Sequence, residues 1–159
     1  MLKILITGSN SGFGKLAALS LARLGHQVVA SMRDLAKGDE LRQVAAQEGL
    51  AIELCQLDVN DLASVEAALV DPLAFDVLIN NAGFEVEAAI EQVSDELMWQ
   101  QLDTNVLGPL RTMRAVLPAW KDRGSGVVIN VSSIAGRVGV PYTGAYSASK
   151  FALEALSES

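Results

Sequence analysis

The sequence predicts an α/β fold, a Rossmann-like doubly wound parallel sheet. Strand-like and helix-like hydrophobic patterns alternate along the 159 residues, as they do in parallel sheets with helical crossovers. The strand-like segments are continuous apolar runs without an alternating polar face, which indicates strands covered on both sides. A glycine-rich turn follows the first strand and opens the first helix, as in many folds of this class. We expect one domain over residues 1–159.

Short apolar runs mark five strands, and helical segments lie between them. The longest helical segment is a double stretch, and the last one begins near Tyr146 and continues to the end of the chain. The predicted strands are Lys3–Thr7, Gln27–Ser31, Ala51–Leu57, Phe75–Ile79 and Val127–Ser132. The predicted helices before the last are Gly12–Leu24, Lys37–Glu48, Asp61–Val70 and the double stretch from Ser94 to Arg123.

Boundary residues support these helices. Glycines stand where left-handed C-caps would end the first, second and double helices, and short polar side chains stand where N-caps could begin helices. Pro109 suits a helix start, whereas Pro118 should kink its helix or end it early. The glycines are Gly25, Gly49 and Gly124, and the N-caps are Asp34, Asp61 and Ser94.

The carboxyl end of the chain departs from the usual pattern. Helical periodicity continues to Ser159, although such a helix normally leads into another strand of a doubly wound sheet. The Val127–Ser132 strand is therefore expected at an exposed apolar edge, which natural proteins avoid. We expect an incomplete domain in which strands one to five are present and the C-terminal strands are missing. A naturally short last helix is the alternative.

Composition narrows the possible classes of protein. Hydrophobic residues make up 50% of the chain and charged residues only 19%, which excludes disorder. Cys55 is the single cysteine, which excludes a disulfide scaffold and fits a reducing compartment. No apolar run is long enough to span a membrane, and no metal site is predicted. The net charge of −7 repels nucleic acid and anionic lipid, so we expect a soluble, cytoplasmic domain.

The glycine-rich turn predicts a phosphate-binding site. Gly8 would permit a tight turn, Gly12 would let the backbone approach a pyrophosphate, and Gly14 would let helix and strand pack closely. Free N–H groups and the dipole at the helix start then bind the anion. A tight connection without a ligand is the alternative, and the position after the first strand favours binding. The residues assigned to this site are Gly8, Ser9, Asn10, Ser11, Gly12, Phe13 and Gly14.

The end of the second strand bears on the choice of dinucleotide. An acidic residue at this tip would bind the adenosine ribose and repel a 2′-phosphate, whereas a nearby arginine accommodates the phosphate. Met32 stands in the place of the acid, Arg33 follows it, and Ser31 can donate a hydrogen bond. This pattern favours NADP(H), with NAD(H) possible. Arg33 as a solvated surface charge and Asp34 as a simple helix cap are the alternatives.

Two further strand ends supply candidate cofactor contacts. Asp58, followed by Val59 after the third strand, could accept a hydrogen bond from the adenine amine, or serve only as a turn residue. The segment Asn81, Ala82 and Gly83 follows the fourth strand. The side-chain amide of Asn81 can bind the ends of neighbouring strands, and Gly83 allows the backbone to approach a ligand closely.

Three residues near the carboxyl end form a candidate reactive group. Ser133 lies at the carboxyl end of the fifth strand, where ligands bind in open α/β sheets. Tyr146 and Lys150 are one helical turn apart and so share a face. A tyrosine hydroxyl with an ordinary pKa near 10 becomes a better acid beside an ammonium group. Tyr146 could then exchange a proton with a carbonyl oxygen that Ser133 holds, although a Tyr and a Lys at this spacing are also common as a plain surface pair.

Taken together, these motifs resemble the short-chain dehydrogenase/reductase family. The order and spacing of Thr7–Gly14, Asn80–Gly83, Ser133 and the Tyr146/Lys150 pair all match. The resemblance implies that Tyr146 is the acid/base, that Lys150 tunes it and binds the nicotinamide ribose, and that Ser133 orients the substrate. It also implies that Asn105 holds a water in a proton relay; locally, Asn105 could be an ordinary kink residue inside a helix. It further implies a homodimer or homotetramer.

These observations predict an NADP-dependent oxidoreductase that interconverts a carbonyl compound and an alcohol. Residues 84–92 and 138–143 are expected to line the substrate side, and their apolar side chains indicate a hydrophobic substrate. A non-catalytic dinucleotide-binding module and a fragment of a longer dehydrogenase are the alternatives. The missing C-terminal strands motivate both of these.

Overall fold

The computed structural model describes residues 1–159 as a five-stranded parallel sheet flanked by six α-helices. Short 3-10 segments and one turn of π-helix complete the secondary structure. The strands are β1 Lys3–Ile6, β2 Gln27–Met32, β3 Ile52–Gln56, β4 Val77–Asn80 and β5 Val127–Asn130. The helices are α1 Gly12–Arg23, α2 Asp39–Glu48, α3 Leu62–Ala68, α4 Asp95–Leu102, α5 Gly108–Arg123 and α6 Gly144–Glu158.

The strand order is β3-β2-β1-β4-β5, and every pairing is parallel. In β1, Ile4 lies level with Val28 of β2 on one side and with Val77 of β4 on the other. The chain therefore winds outward from β1 to β3 and then crosses back to β4. Such a reversal opens a crevice at the carboxyl ends of β1 and β4, where open α/β sheets bind ligands. The predicted fold class is confirmed.

Both faces of the central strands β1, β2 and β4 are buried, which explains why these strands are continuously apolar. Neighbouring residues of β1 enter different cores because side chains alternate across a strand. Ile4 and Ile6 pack with Ala18 of α1 and Leu41 of α2 on one face. On the other face, Leu5 belongs to the core that Val65 of α3 and Val116 of α5 help to form.

The predicted capping residues lie at the helix ends. Asp34, Asp61 and Ser94 each accept a backbone N–H at the start of their helical segment. Gly49 and Gly124 have positive φ angles immediately after α2 and α5, and Gly25 has one directly after the C-cap residue Leu24 of α1. Side-chain acceptors and left-handed glycines thus satisfy backbone groups that a helix end leaves free. The second helix is shorter than predicted, because residues 35–38 form a 3-10 segment before α2.

The predicted double helix runs from α4 into α5 through one π-helical turn at Asp103–Leu107. Pro109 is in the first turn of α5, as predicted. Pro118 does not end the helix early, because α5 continues to Arg123. Buried side chains on both sides of Pro118, Val116 and Trp120, hold this part of α5 against the sheet.

Strand β5 forms one edge of the sheet and pairs only with β4. Two of its apolar side chains, Val127 and Ile129, are 52% and 45% exposed. This agrees with the exposed apolar edge expected from the sequence. In the whole structure, no helix combines the length and the apolar character that a membrane-spanning helix requires.

Candidate active site

The glycine turn is fixed by contacts with the end of β4. Gly8 has a φ of +69°, and a Cβ there would lie 2.7 Å from the Cα of Ala82. The Thr7 hydroxyl oxygen accepts the N–H groups of Asn81 and Ala82 at 3.1 and 3.0 Å. In return, Asn81 Nδ2 donates to the carbonyls of Thr7 and Gly8 at 2.9 and 3.0 Å. Any side chain at position 8 would disrupt this junction.

The start of α1 suits an anion. Ser11 is the N-cap residue, but its side chain accepts no hydrogen bond from the helix, and no acidic residue lies in the first turn. The first N–H groups of a helix have no partner within it. A Cβ on Gly12 would meet no atom within 4 Å, so this backbone faces open space. The dinucleotide phosphates therefore fit the residues present here.

The turn opens into a cleft of about 930 Å³, which brings the glycine-rich and reactive residues together. Most of the predicted site residues line this cleft. They are Gly8, Asn10, Ser11, Gly12, Phe13, Arg33, Asp58, Val59, Asn81, Ala82, Gly83, Ser133, Tyr146 and Lys150.

Four predicted residues do not line the cleft, and Ser31 requires a correction. Ser9 and Ser31 are fully buried, and both hydroxyls donate to the carbonyl of Ile6, at 3.0 and 3.1 Å. Ser31 therefore has no free donor for a cofactor phosphate, because β2 is covered on both faces at this point. Gly14 instead packs against the Gly8 carbonyl and the Asn81 side chain, as close helix–strand packing requires.

The fourth predicted residue outside the cleft lining is Asn105, which lies in the π-helical turn. Its Oδ1 accepts the N–H of Phe84 at 3.2 Å, and its Nδ2 donates to the Phe84 carbonyl at 2.9 Å. Nδ2 also donates to Ser149 Oγ at 3.0 Å. Both amide hydrogens are thus engaged, so this side chain has no donor left for a relay water.

Two charged residues line the end of the cleft near β2 and β3. Arg33 is exposed and forms no ion pair. Asp58 Oδ1 accepts the N–H of Asn60 at 3.0 Å, so Asp58 is a turn residue as well as part of the cleft wall. Arg33 thus leaves an unpaired positive charge at the cleft, and the Asp58 carboxylate already has a local partner.

The three predicted reactive residues, Ser133, Tyr146 and Lys150, line the same cleft. Lys150 is only 6% exposed, and its Nζ donates to the carbonyl of Val131 at 2.7 Å. Its Nζ lies 5.7 Å from the centre of the Tyr146 ring. Burial lowers the pKa of Lys150 because desolvation disfavours the charged form. The Ser133 hydroxyl accepts the N–H of Ala135 at 3.1 Å, which leaves its own hydrogen free to donate.

The two segments expected to line the substrate side differ in their place in the structure. Phe84 lines the cleft with its neighbour Glu85, whereas residues 138–143 do not. These two segments are nevertheless joined, since the N–H of Ala88 donates to the carbonyl of Tyr142 at 2.7 Å. Sequence reasoning also missed Gln101, which is fully buried and binds Phe84 and Val86. Its spacing could have indicated this role, because Gln101 precedes Asn105 by one helical turn and both side chains are buried.

Comparisons with known proteins agree with this geometry. Residues 3–159 match the model of the family described as short chain dehydrogenase. The chain is 39% identical over 156 residues to 3-ketodihydrosphingosine reductase of Bacteroides thetaiotaomicron, covering 98% of this chain and 55% of the relative. It is 41% identical over 165 residues to human 17-beta-hydroxysteroid dehydrogenase type 1, covering 98% of this chain and 50% of the relative.

A solved structure shares the fold. The gluconate 5-dehydrogenase of Burkholderia cenocepacia, in complex with NADP and tartrate, matches with a TM-score of 0.89 at 30% identity. The match covers 98% of this chain and 62% of that one. The chain thus spans about half the length of the curated relatives it matches.

Proposed function

The chain belongs to the short-chain dehydrogenase family, and from that premise we propose that it is an NADP-dependent oxidoreductase that interconverts a carbonyl compound and an alcohol. Residues 1–159 would form one dinucleotide-binding unit. The single observation that carries this proposal is the shared cleft, in which the glycine turn faces the same space as Tyr146 and Lys150. The nicotinamide, when bound, supplies or accepts the hydride.

The bound form is proposed to be NADP(H) because of Arg33. A guanidinium binds a 2′-phosphate strongly through paired hydrogen bonds, and Arg33 has no other anionic partner. No acidic residue lies at the end of β2 to repel that phosphate, since Met32 takes this position and is buried. The NADP complex of the structural relative is consistent with this choice. The start of α1 would hold the pyrophosphate.

The chain's own residues would move the proton. Tyr146 is partly exposed to the cleft, and we propose that its hydroxyl donates a proton to the carbonyl oxygen during reduction and takes it back during oxidation. The nearby ammonium of Lys150 would stabilise the phenolate form. Ser133, with its hydrogen free, would hold the same substrate oxygen. The carbonyl carbon gains one hydride and its oxygen gains one proton.

The surface near the start of α6, the helix of Tyr146, suits a large hydrophobic substrate. Ile90, Val140 and Tyr142 are 74%, 39% and 67% exposed. Val140 lies beside the start of α6, since its N–H points to the Ser147 hydroxyl at 3.5 Å. An exposed apolar group of this kind marks a binding surface. The relatives named for a ketodihydrosphingosine and for a hydroxysteroid act on mostly apolar compounds, which supports the same substrate class.

We also propose a cytoplasmic homodimer or homotetramer. The faces of the α4–α5 stretch and of α6 that point away from the sheet carry large exposed apolar side chains. Trp99, Leu117 and Phe151 are 68%, 47% and 46% exposed. A second copy of the chain would bury them. The free thiol of Cys55 fits a reducing compartment.

Tyr146→Phe tests the proposed function. Reduction of an apolar ketone with NADPH should fall by about 10²-fold or more, because proton transfer is lost, while calorimetric affinity for NADPH stays near that of the wild type. Ser20→Ala is the control, since it also removes one hydroxyl, from an exposed position of α1 outside the cleft lining. Full turnover in Tyr146→Phe would refute the mechanism. NADPH binding without turnover of any carbonyl compound would instead favour a non-catalytic dinucleotide-binding module.

A further inference from the structure

We propose that Arg111 is a positioning residue for the cofactor. By holding the carbonyl of Val59, it keeps the neighbouring Asp58 carboxylate where that group accepts a hydrogen bond from the adenine amine. This inference rests on the proposed function and adds to it a residue that does not itself touch the cofactor. Asp58 and Val59 line the cleft, whereas Arg111 does not.

The guanidinium of Arg111 joins two separate segments of the chain. Its Nη1 donates to the carbonyl of Val59 at 3.0 Å, and its Nη2 donates to Asp103 Oδ1 at 2.6 Å. Val59 belongs to residues 58–60, which follow β3 and are called the β3 loop below, and Asp103 begins the π-helical turn. A planar guanidinium can bind both acceptors at once, whereas a lysine ammonium is a point charge on a flexible stem. Arg111 therefore ties the β3 loop to the helix in one arrangement.

The surroundings of this link are largely closed to solvent. The side chains of Arg111 and Asp103 are 22% and 34% exposed. Val59 is only 5% exposed, although it lines the cleft. A Cβ on Gly108 would lie 2.9 Å from Val59 Cγ2, so the start of α5 also packs directly against this side chain. Water cannot easily replace a guanidinium that binds a carbonyl in such a place, and its loss leaves the carbonyl without a partner.

The Asp58 carboxylate has one oxygen free for a ligand. Its Oδ1 accepts the N–H of Asn60 at 3.0 Å, whereas its Oδ2 accepts no hydrogen bond within the chain. The N–H of Asp58 donates to Ser64 Oγ at 2.9 Å. The backbone around Asp58 is thus held on one side by Ser64 and on the other, at the next carbonyl, by Arg111. The direction of the free oxygen therefore depends on Arg111.

The test compares two cofactors that differ only in the base. The affinities of NADPH and of its deamino analogue, in which hypoxanthine replaces adenine, are measured by calorimetry. Adenine carries a donor amine at C6 and hypoxanthine a carbonyl, so a free carboxylate oxygen discriminates between them. We expect the wild type to bind NADPH about tenfold more tightly, the effect of one hydrogen bond to a charged group.

Arg111→Lys keeps the charge but cannot bind both acceptors, so this base preference should fall to near parity. Arg114→Lys is the matched control, since Arg114 lies three residues further along α5, is exposed and forms no ion pair. It should keep the wild-type preference. An unchanged base preference in Arg111→Lys overturns the inference.

Asp58→Asn distinguishes positioning from a merely structural role. Its amide can donate to the C6 carbonyl of hypoxanthine, so this variant should bind the deamino analogue more tightly than NADPH. When Arg111→Lys is added, the reversal should disappear, because the side chain at position 58 is no longer directed at the base. A purely structural Arg111 would lower the urea midpoint and leave the reversal intact, which overturns the inference. Asp58→Asn without a reversal also overturns it, even where Arg111→Lys does not fold.

These binding measurements separate the inference from the function on which it rests. A base preference that Arg111→Lys removes supports the inference even where no ketone is reduced, and in that case only the proposed reaction fails. Reduction of a ketone with NADPH by a protein that has no base preference overturns the inference and leaves the oxidoreductase. A protein that binds neither cofactor overturns both.

Discussion

The side chain of Asn105 binds the backbone of Phe84 at both its N–H and its carbonyl, at 3.2 and 2.9 Å. This pairing joins the π-helical turn to the cleft wall that follows β4. The third bond of the amide, to Ser149 Oγ, reaches the helix of Tyr146 and Lys150. One buried amide therefore connects the cleft wall with the helix that carries the reactive residues.

Asn105→Ala should destabilise the protein. It leaves the N–H of Phe84 without a partner and removes two further hydrogen bonds, and a buried unsatisfied group costs about 1–3 kcal/mol. We expect the free energy of unfolding in urea to fall by about 2–3 kcal/mol. Thr104→Ala is the control, since it removes only an exposed hydrogen bond to Asn60. Equal stability of Asn105→Ala and wild type would show that the bonds to Phe84 contribute nothing.

Local patterns in the sequence predicted the sheet, the glycine turn and the Tyr146/Lys150 pair. Each of these depends on residues close together in the chain, such as the turn of helix between Tyr146 and Lys150 or the run of apolar residues in β1. Parallel topology then places the strand ends at one edge. Capping by Asp34, Asp61 and Ser94 is local as well, and the structure confirms all three.

The features of the site that were missed or misassigned depend on contacts between segments far apart in the chain, which a local sequence pattern does not predict. Ser31 is the last residue of its predicted strand, yet its hydroxyl donates to the carbonyl of Ile6, 25 residues away. Asn105 and Gln101 hold Phe84 across gaps of 21 and 17 residues. Gly14 differs from Gly12 in that atoms of Gly8 and Asn81 surround the position of its missing Cβ.

Lys150→Met should change how stability depends on pH. Burial lowers the pKa of Lys150 below its ordinary value of 10.5 in the folded protein. Between that lowered pKa and 10.5, the unfolded chain binds more protons, so wild-type stability rises with pH through this window. Below the window, the cost of burying the cation is present in full. The wild type should therefore gain stability relative to Lys150→Met as the pH rises from neutral through this window to 10.5.

Urea unfolding of both proteins across this range measures the difference. Lys121→Met, at an exposed position of α5, is the control for the titration of ordinary lysines. A difference between wild type and Lys150→Met that stays constant with pH would contradict the effect of burial on Lys150.

Arg33→Ala should weaken NADPH binding by about tenfold or more, because a charge-assisted contact with the 2′-phosphate is lost. NADH has no such phosphate, so its affinity should stay near that of the wild type. Calorimetric titration with each cofactor measures both. Arg114→Ala is the control, since Arg114 is also exposed and unpaired but lies outside the cleft lining. Equal losses for NADPH and NADH would assign Arg33 a role other than recognition of the phosphate.

Gly12→Ala and Gly14→Ala should have different effects, although they lie two residues apart. A Cβ on Gly14 would collide with the carbonyl of Gly8 and the side chain of Asn81. Both groups belong to the junction between β1 and β4 and have little room to move. Gly14→Ala should therefore lower the free energy of unfolding by about 2 kcal/mol, the usual cost of an overpacked site.

Gly12 has no atom near its missing Cβ, but its φ of +54° disfavours any L side chain. Gly12→Ala should lose only about 1 kcal/mol of stability, the cost of a left-handed alanine. Its methyl group would instead occupy the space where the pyrophosphate is proposed to approach the backbone, so NADPH affinity should fall further than stability does. Gly139→Ala, at a glycine with open space and no positive φ, is the control for both measurements. A Gly14→Ala protein as stable as Gly139→Ala would show that the junction between β1 and β4 can rearrange to accept the methyl group. Unchanged NADPH affinity in Gly12→Ala would place the phosphates elsewhere.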